Sequence, residues 1–128
     1  MTRPLVPVDG RRQDWPRLVS QATNRAQVDI EALRNRFTSR TITATGSATT
    51  SDYLILVDAT AGAVTVNLPA AADSAGAFIV VKKTDAGGNA VTVDANASET
   101  IDGATTRALA AQYDAITIAC DGTAWWIL

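Results

Sequence analysis

Apolar and polar positions follow two different periods along this chain, and the change falls near residue 41. Upstream, Trp15, Val19, Ala22, Ala26, Ile30, Leu33 and Phe37 are separated by 4, 3, 4, 4, 3 and 4 residues. A repeat of about 3.7 is that of a straight α-helix. The spacing predicts one helix over 14–38, with Asp14 as N-cap and Pro16 in the first turn, where a missing N–H costs nothing. Arg17, Gln21, Arg25, Asp29, Glu31 and Arg34 lie between the stripe positions. One narrow apolar stripe on a polar helix suits a bundle of copies about an axis; a helix lying on a β domain is the alternative.

From Thr41 onward the period shortens. Thr41-Ile-Thr-Ala-Thr45, Tyr53-Leu-Ile-Leu-Val57, Val64-Thr-Val-Asn-Leu68, Phe78-Ile-Val-Val-Lys82, Val91-Thr-Val93, Ala115-Ile-Thr-Ile-Ala119 and Trp125-Trp-Ile-Leu128 are rich in β-branched and apolar residues. Asp58-Ala-Thr-Ala-Gly62, Asp85-Ala-Gly-Gly-Asn89, Asp102-Gly103 and Asp121-Gly122 stand between them as turn signals. Short strands about 10 residues apart with such turns predict an antiparallel β-sandwich or barrel over 41–128. Residues 1–13 carry Pro4, Pro7 and Gly10, which favour an extended arm that orders on a partner. The fold class is therefore mainly β: an antiparallel β domain preceded by one helix and an extended arm.

Composition narrows the chemistry. Aromatic residues make up only 5% of 128 residues, so a modest core helped by self-association is expected. Eleven basic residues oppose thirteen acidic ones, and a nucleic-acid footprint is not expected from that balance. Eight of the basic residues are arginines before position 41, which suits either a positive arm or a solvated helix face. No run approaches the roughly 20 apolar residues of a membrane span, and the N-terminus does not read as a secretory signal. The single cysteine, Cys120, reads as a small buried hydrophobe.

The chain contains no histidine, which removes the commonest general base and histidine metal ligands. Asp52, Asp58, Asp73, Asp85, Asp94, Asp102, Asp114 and Asp121 sit mostly at turns, where their side chains bond the local backbone. Gly87-Gly88 lacks the lysine of a phosphate loop and reads as a hairpin turn. Glu99 and Asp102 form the one close carboxylate pair in a recognisable motif, too little for a glycosidase. No catalytic, cofactor-binding or metal-binding residue is assigned, and no enzyme is expected.

The β segment resembles a module of bacteriophage virion proteins. The resemblance runs through Asp52 to Thr60, Val64-Thr-Val-Asn-Leu-Pro69, Gly76 to Lys83, Asn89 to Asp94, Glu99-Thr-Ile-Asp-Gly103, Tyr113 and Asp121-Gly-Thr-Ala-Trp125. The order and spacing of these pieces over residues 50–128 carry it. The stretch Pro7-Val-Asp-Gly-Arg-Arg-Gln-Asp-Trp-Pro16 also looks like the start of small phage structural proteins. The resemblance implies a tail-fibre, tail-adaptor or head-fibre component, trimeric, with an N-terminal attachment segment and no catalytic residues. Leu68 and Ile101 would be core, and Gly103 and Gly122 would set turns.

The expected function is a short trimeric fibre or spike of the virion, made in the bacterial host cytoplasm. Its attachment residues would be Arg3, Pro4, Val6, Pro7, Arg11, Arg12 and Trp15, docked on capsid, portal, connector or tail proteins. Its trimer interface would be Val19, Ala22, Ala26, Ile30, Leu33 and Phe37, with Trp126 and Leu128 from the β domain. A receptor-binding module for a host-surface glycan or protein, and a capsid-cementing decoration protein, are the alternatives. Alternation in Trp125-Trp-Ile-Leu128 puts Trp125 and Ile127 on one face and Trp126 and Leu128 on the other. Only one of these faces can fill the domain's own core.

Overall fold

The computed structural model describes residues 37–128. The arm over 1–13 and nearly all of the helix over 14–38 lie outside the described residues. So do Arg3, Pro4, Val6, Pro7, Arg11, Arg12, Trp15, Val19, Ala22, Ala26, Ile30 and Leu33.

Nine strands follow: β1 (Ser39–Ile42), β2 (Gly46–Ser47), β3 (Leu54–Val57), β4 (Val64–Asn67), β5 (Phe78–Lys83), β6 (Val91–Asp94), β7 (Thr106–Leu109), β8 (Ala115–Cys120) and β9 (Trp125–Ile127). They form a five-stranded sheet in the order β1-β3-β5-β8-β9 and a four-stranded sheet in the order β2-β4-β6-β7. The mainly-β expectation holds. The antiparallel expectation does not: β1, β3 and β5 pair in parallel, as do β2, β4 and β6. Only β5–β8, β8–β9 and β6–β7 are antiparallel. Both sheets are open, with β1 and β9 at the ends of one and β2 and β7 at the ends of the other, so neither closes into a barrel.

Through β6 the chain winds from one sheet to the other and back, so that odd strands stack in one sheet and even strands in the other. A parallel pair needs a long crossover, and here the crossover is itself a strand: β4 lies between β3 and β5, and β5 between β4 and β6. The short Asp- and Gly-rich turns therefore connect sheet to sheet. Asp85-Ala-Gly-Gly-Asn89 is not a hairpin turn, because the strands it joins, β5 and β6, belong to different sheets.

The inward positions of both sheets form one core. Ile55, Val57, Ile79, Val81, Ile116 and Ile118 come from the first sheet, and Val64, Val66, Val91, Val93 and Leu109 from the second. Leu68 and Ile101 join them, as does Trp125, whose exposure is 0%. Cys120 is buried as expected, with its thiol pushed up by burial and its sulfur 3.5 Å from the Ala71 carbonyl oxygen. Gly103 and Gly122 adopt φ of 83° and 96°, as their turn roles require.

Candidate functional site

The outer faces of the two sheets differ in chemistry. On the four-stranded sheet the outward positions are Ser47, Thr65, Asn67, Thr92, Asp94, Thr106 and Ala108, a surface suited to water. On the five-stranded sheet the register aligns apolar residues in rows. Phe78 pairs with Ala119, and Ala119 with Trp126. One row further on, Ser39 pairs with Leu54, Leu54 with Val80 and Val80 with Thr117. Leu128 extends this second row by donating its N–H to the Thr117 carbonyl oxygen at 2.9 Å. The third row holds Thr41, Leu56, Lys82 and Ala115.

The first row continues past β5 as an aromatic chain. Tyr53 stacks on Phe78 with ring centroids 5.7 Å apart, and Phe37 meets Tyr53 edge-on at 5.0 Å. Both distances and orientations fall in the favourable range for aromatic pairs. Phe37, Phe78, Trp126 and Leu128 are all exposed, Leu128 by 71%. At the opposite end of the face, the Lys82 ammonium lies 5.6 Å from the centre of the Tyr113 ring. Of the six aromatic residues between 37 and 128, only Trp125 belongs to the core.

Among the sequence-expected interface residues, Phe37, Trp126 and Leu128 come together on this one face, and the others lie outside the described residues. Ile127 keeps the expected alternation, pairing with Ile118 on the side of Trp125, yet at the sheet's edge strand it is 37% exposed. Tyr53, Leu54, Leu56, Phe78 and Val80 lie on the same face and were not among the expected residues. Their signal was present. Leu54-Ile-Leu-Val57 and Phe78-Ile-Val-Val81 are continuous apolar runs, the pattern of strands covered on both faces, whereas Val64-Thr-Val-Asn67 and Val91-Thr-Val-Asp94 alternate.

Trp126 is held by Asp121, whose Oδ2 accepts the indole Nε1–H at 2.9 Å. Asp121 Oδ1 accepts the N–H groups of Ala124 and Thr123, and these bonds, the Ala124 bond foremost, pull its carboxyl below the usual range. The turn that forms the β8–β9 hairpin thus also fixes the exposed indole.

The Glu99 and Asp102 carboxylates act on the backbone. Glu99 Oε1 accepts the Ala71 N–H at 3.0 Å, and Asp102 Oδ1 accepts the Ile127 N–H at 3.0 Å. Between them, the Trp125 N–H bonds the Thr100 carbonyl and the Asp102 N–H bonds the Trp125 carbonyl, at 2.9 and 3.0 Å. Arg107 braces this loop with guanidinium bonds to the carbonyl oxygens of Ile101 and Asp102. The Glu99–Asp102 motif is a clasp over the free edge of β9, which would otherwise offer unpaired backbone groups.

A second polar cluster is fully internal. Lys83 Nζ lies 2.7 Å from Asp85 Oδ2, and both side chains are buried. Asp85 Oδ1 accepts the Ala59 N–H and Oδ2 accepts the Gly87 N–H. The Lys83 ammonium, followed by the Ala59 N–H, holds the Asp85 carboxyl down to about 2. This cluster ties the β5–β6 turn to the β3–β4 turn across the sheets. Among the described residues, no group of three or more His, Cys, Asp or Glu side chains is placed to hold a metal ion. No helix among them is long and apolar enough to cross a membrane. No known protein-family model matches the chain, and a search of curated proteins finds no match.

Proposed function

We propose that the chain is a structural component of a bacteriophage virion, a short trimeric fibre anchored to capsid or tail by its N-terminal third. The observation that carries this reading is the placement of aromatic and leucine side chains across one outer sheet face, an arrangement suited to assembly. Protein surfaces that expose broad apolar patches mark interaction sites. The carboxylates that drew attention in the sequence are engaged with the fold's own backbone, as clasp and turn groups. The phage-like motif positions supply core, turns and clasp, the parts of a scaffold. The extended arm and the arginines before residue 41 are the segment assigned to attachment.

Purified particles test the reading directly. The full chain is expected in them, detected by mass spectrometry and immunogold labelling. A chain lacking residues 1–38 is expected to fold and to be absent from particles, because residues 39–128 hold the whole described core. Absence of the full chain from particles overturns the virion role. Retention of the truncated chain moves attachment to the β unit and favours the capsid-cementing alternative.

A further inference from the structure

We infer that the turn over 110–114, where the chain enters β8, carries a saccharide site at which a neutral pyranose ring stacks on Tyr113 between Lys82 and Asp114. The inference goes beyond the virion role and depends neither on that role nor on the number of copies.

Tyr113 stands apart from the other rings. Trp125 is in the core, four rings form the row at the Phe37 end of the face, and Tyr113 belongs to neither group. It is 62% exposed, more than any other aromatic side chain among the described residues. Its backbone is nevertheless held at φ 69°, in the left-handed region that strains a bulky residue and that glycine and asparagine tolerate best. The turn enforces this from both sides. The Tyr113 N–H bonds the Lys83 carbonyl at 2.8 Å, and the Lys83 N–H bonds the Asp114 carbonyl at 2.9 Å. Asp114 Oδ2 accepts the N–H groups of Ala110 and Ala111. Of the other two non-glycine residues with positive φ, Ala97 has the smallest side chain and Asp102 serves the clasp over β9. A strained tyrosine that adds nothing to the core points to work done by its ring.

The surroundings define the ligand. The Lys82 ammonium lies 5.6 Å from the ring centre and makes no ion pair among the described residues. Gln112 donates its side-chain N–H to the Thr84 carbonyl at 3.1 Å, which leaves the amide oxygen as an acceptor. Asp114 takes both its turn bonds on Oδ2, which leaves Oδ1 as a second acceptor. Gln112, Tyr113 and Asp114 are all exposed. The ammonium disfavours a cation and the carboxylate an anion, so the ligand is neutral. Sugar hydroxyls both donate and accept, and the C–H face of a pyranose is apolar with slight positive charge, complementary to the negative face of an aromatic ring. An extended peptide finds no ladder here, because β5 and β8 spend their backbone groups on each other. Lys82 is in the third row, at the far end of the face from Phe37, so the site stays open when the first row is covered.

The test is saturation-transfer NMR on the full chain with methyl β-galactopyranoside, whose H3, H4 and H5 share one face. Sorbitol, which has hydroxyls but no ring face, and benzoate, an anion with a ring, are the comparison probes. Transfer to H3–H5 of the galactoside is expected, with a Kd on the order of 1 mM for so small a ligand, and none to sorbitol. Tyr113→Asn is expected to melt at the same temperature or higher and to bind about tenfold more weakly, whereas Tyr113→Phe binds as the unmodified chain does. Lys82→Met, which keeps the stem and removes the charge, is expected to weaken binding about fivefold. No galactoside binding below about 20 mM overturns the inference, as does benzoate binding of equal strength, which would mark a simple anion site at Lys82. Binding retained by Tyr113→Asn, or lost equally in Tyr113→Phe, overturns it whatever the melting temperatures. A lowered melting temperature for Tyr113→Asn would make the ring a packing group and remove the argument from strain. These measurements need only purified protein, so their failure leaves the particle-composition test of the virion role standing.

Discussion

Trp125 and Trp126 are adjacent in sequence and on opposite faces of β9, and under the proposed trimer their replacement is expected to separate folding from assembly. Trp125 has 0% exposure and forms part of the core. Burying an indole removes about 200 Å² from water, worth about 5 kcal/mol at 25 cal/mol per Å². Replacing a buried tryptophan by alanine costs about 3–5 kcal/mol in practice. A domain of this size is held by roughly 5–15 kcal/mol, so Trp125→Ala removes a large share of it. Trp126 is 48% exposed, and its one polar contact is the bond to Asp121. Trp126→Ser therefore costs about 1 kcal/mol within one copy. The assay is urea unfolding at concentrations where the midpoint no longer shifts on dilution, which removes assembly from the reading. With a slope of about 2 kcal/mol per M, Trp125→Ala is expected to lower the midpoint by about 2 M and Trp126→Ser by about 0.5 M. In sedimentation the order reverses: Trp126→Ser gives monomer while its fold persists. Equal midpoint losses for the two variants would refute the division of roles, as would a Trp126→Ser chain that assembles like the unmodified one.

Two further outcomes test the local chemistry. Asp85 is held down to about 2 from 3.8 by the Lys83 ammonium and the Ala59 N–H; a depressed carboxylate stabilises the fold above its unfolded value and loses that as pH falls. Stability is therefore expected to fall between pH 3.8 and about 2, and in acid titrations followed by circular dichroism Asp85→Asn should flatten that limb; an unchanged slope speaks against it. Gly122 has φ 96°, and a Cβ there would lie 3.3 Å from the Ala75 Cβ, so Gly122→Ala is expected to cost about 1–2 kcal/mol. Gly88→Ala, with open space around it, is the control, and equal thermal shifts for the two would refute the argument.

Much of the strand content was readable, because β-branched runs bounded by Asp and Gly carry a strong local signal. Strand direction was not. A six-residue turn reads the same whether it reverses the chain within one sheet or passes it to another, and only long-range pairing distinguishes the two. Ser39–Ile42 and Thr106–Leu109 gave weak strand signals because their burial patterns are largely exposed, so little apolar alternation marks them. The apolar outer face was half legible. Trp126 and Leu128 stood out as apolar residues on a face the core could not use, but the register of parallel strands was needed to bring Tyr53, Leu54 and Phe78 alongside them. The clasp was hidden for a related reason: Asp102 and Ile127 are 25 positions apart and meet only when β9 adds to the sheet edge.

The contrast between core and face follows from the winding of the chain. Two sheets packed face to face enclose a layer about 10 Å thick, shared by inward side chains from both. Val and Ile fill such a layer without large gaps, and they make up most of the core. The one ring in that core, Trp125, is placed by its backbone bonds to Thr100 and Asp102. Among residues 37–128 the other rings lie outside the core, and four of them fall in one aromatic row on a single outer face. A lone copy exposing that row would be prone to indiscriminate association. The clasp over β9 closes one edge through which sheets extend, so the exposed apolar surface is the face and not that edge. Folding of the described residues thus relies on aliphatic side chains and one tryptophan, and the other aromatics are left on the surface. Substitutions on the face are therefore expected to leave the fold intact, and under the proposed trimer to weaken association.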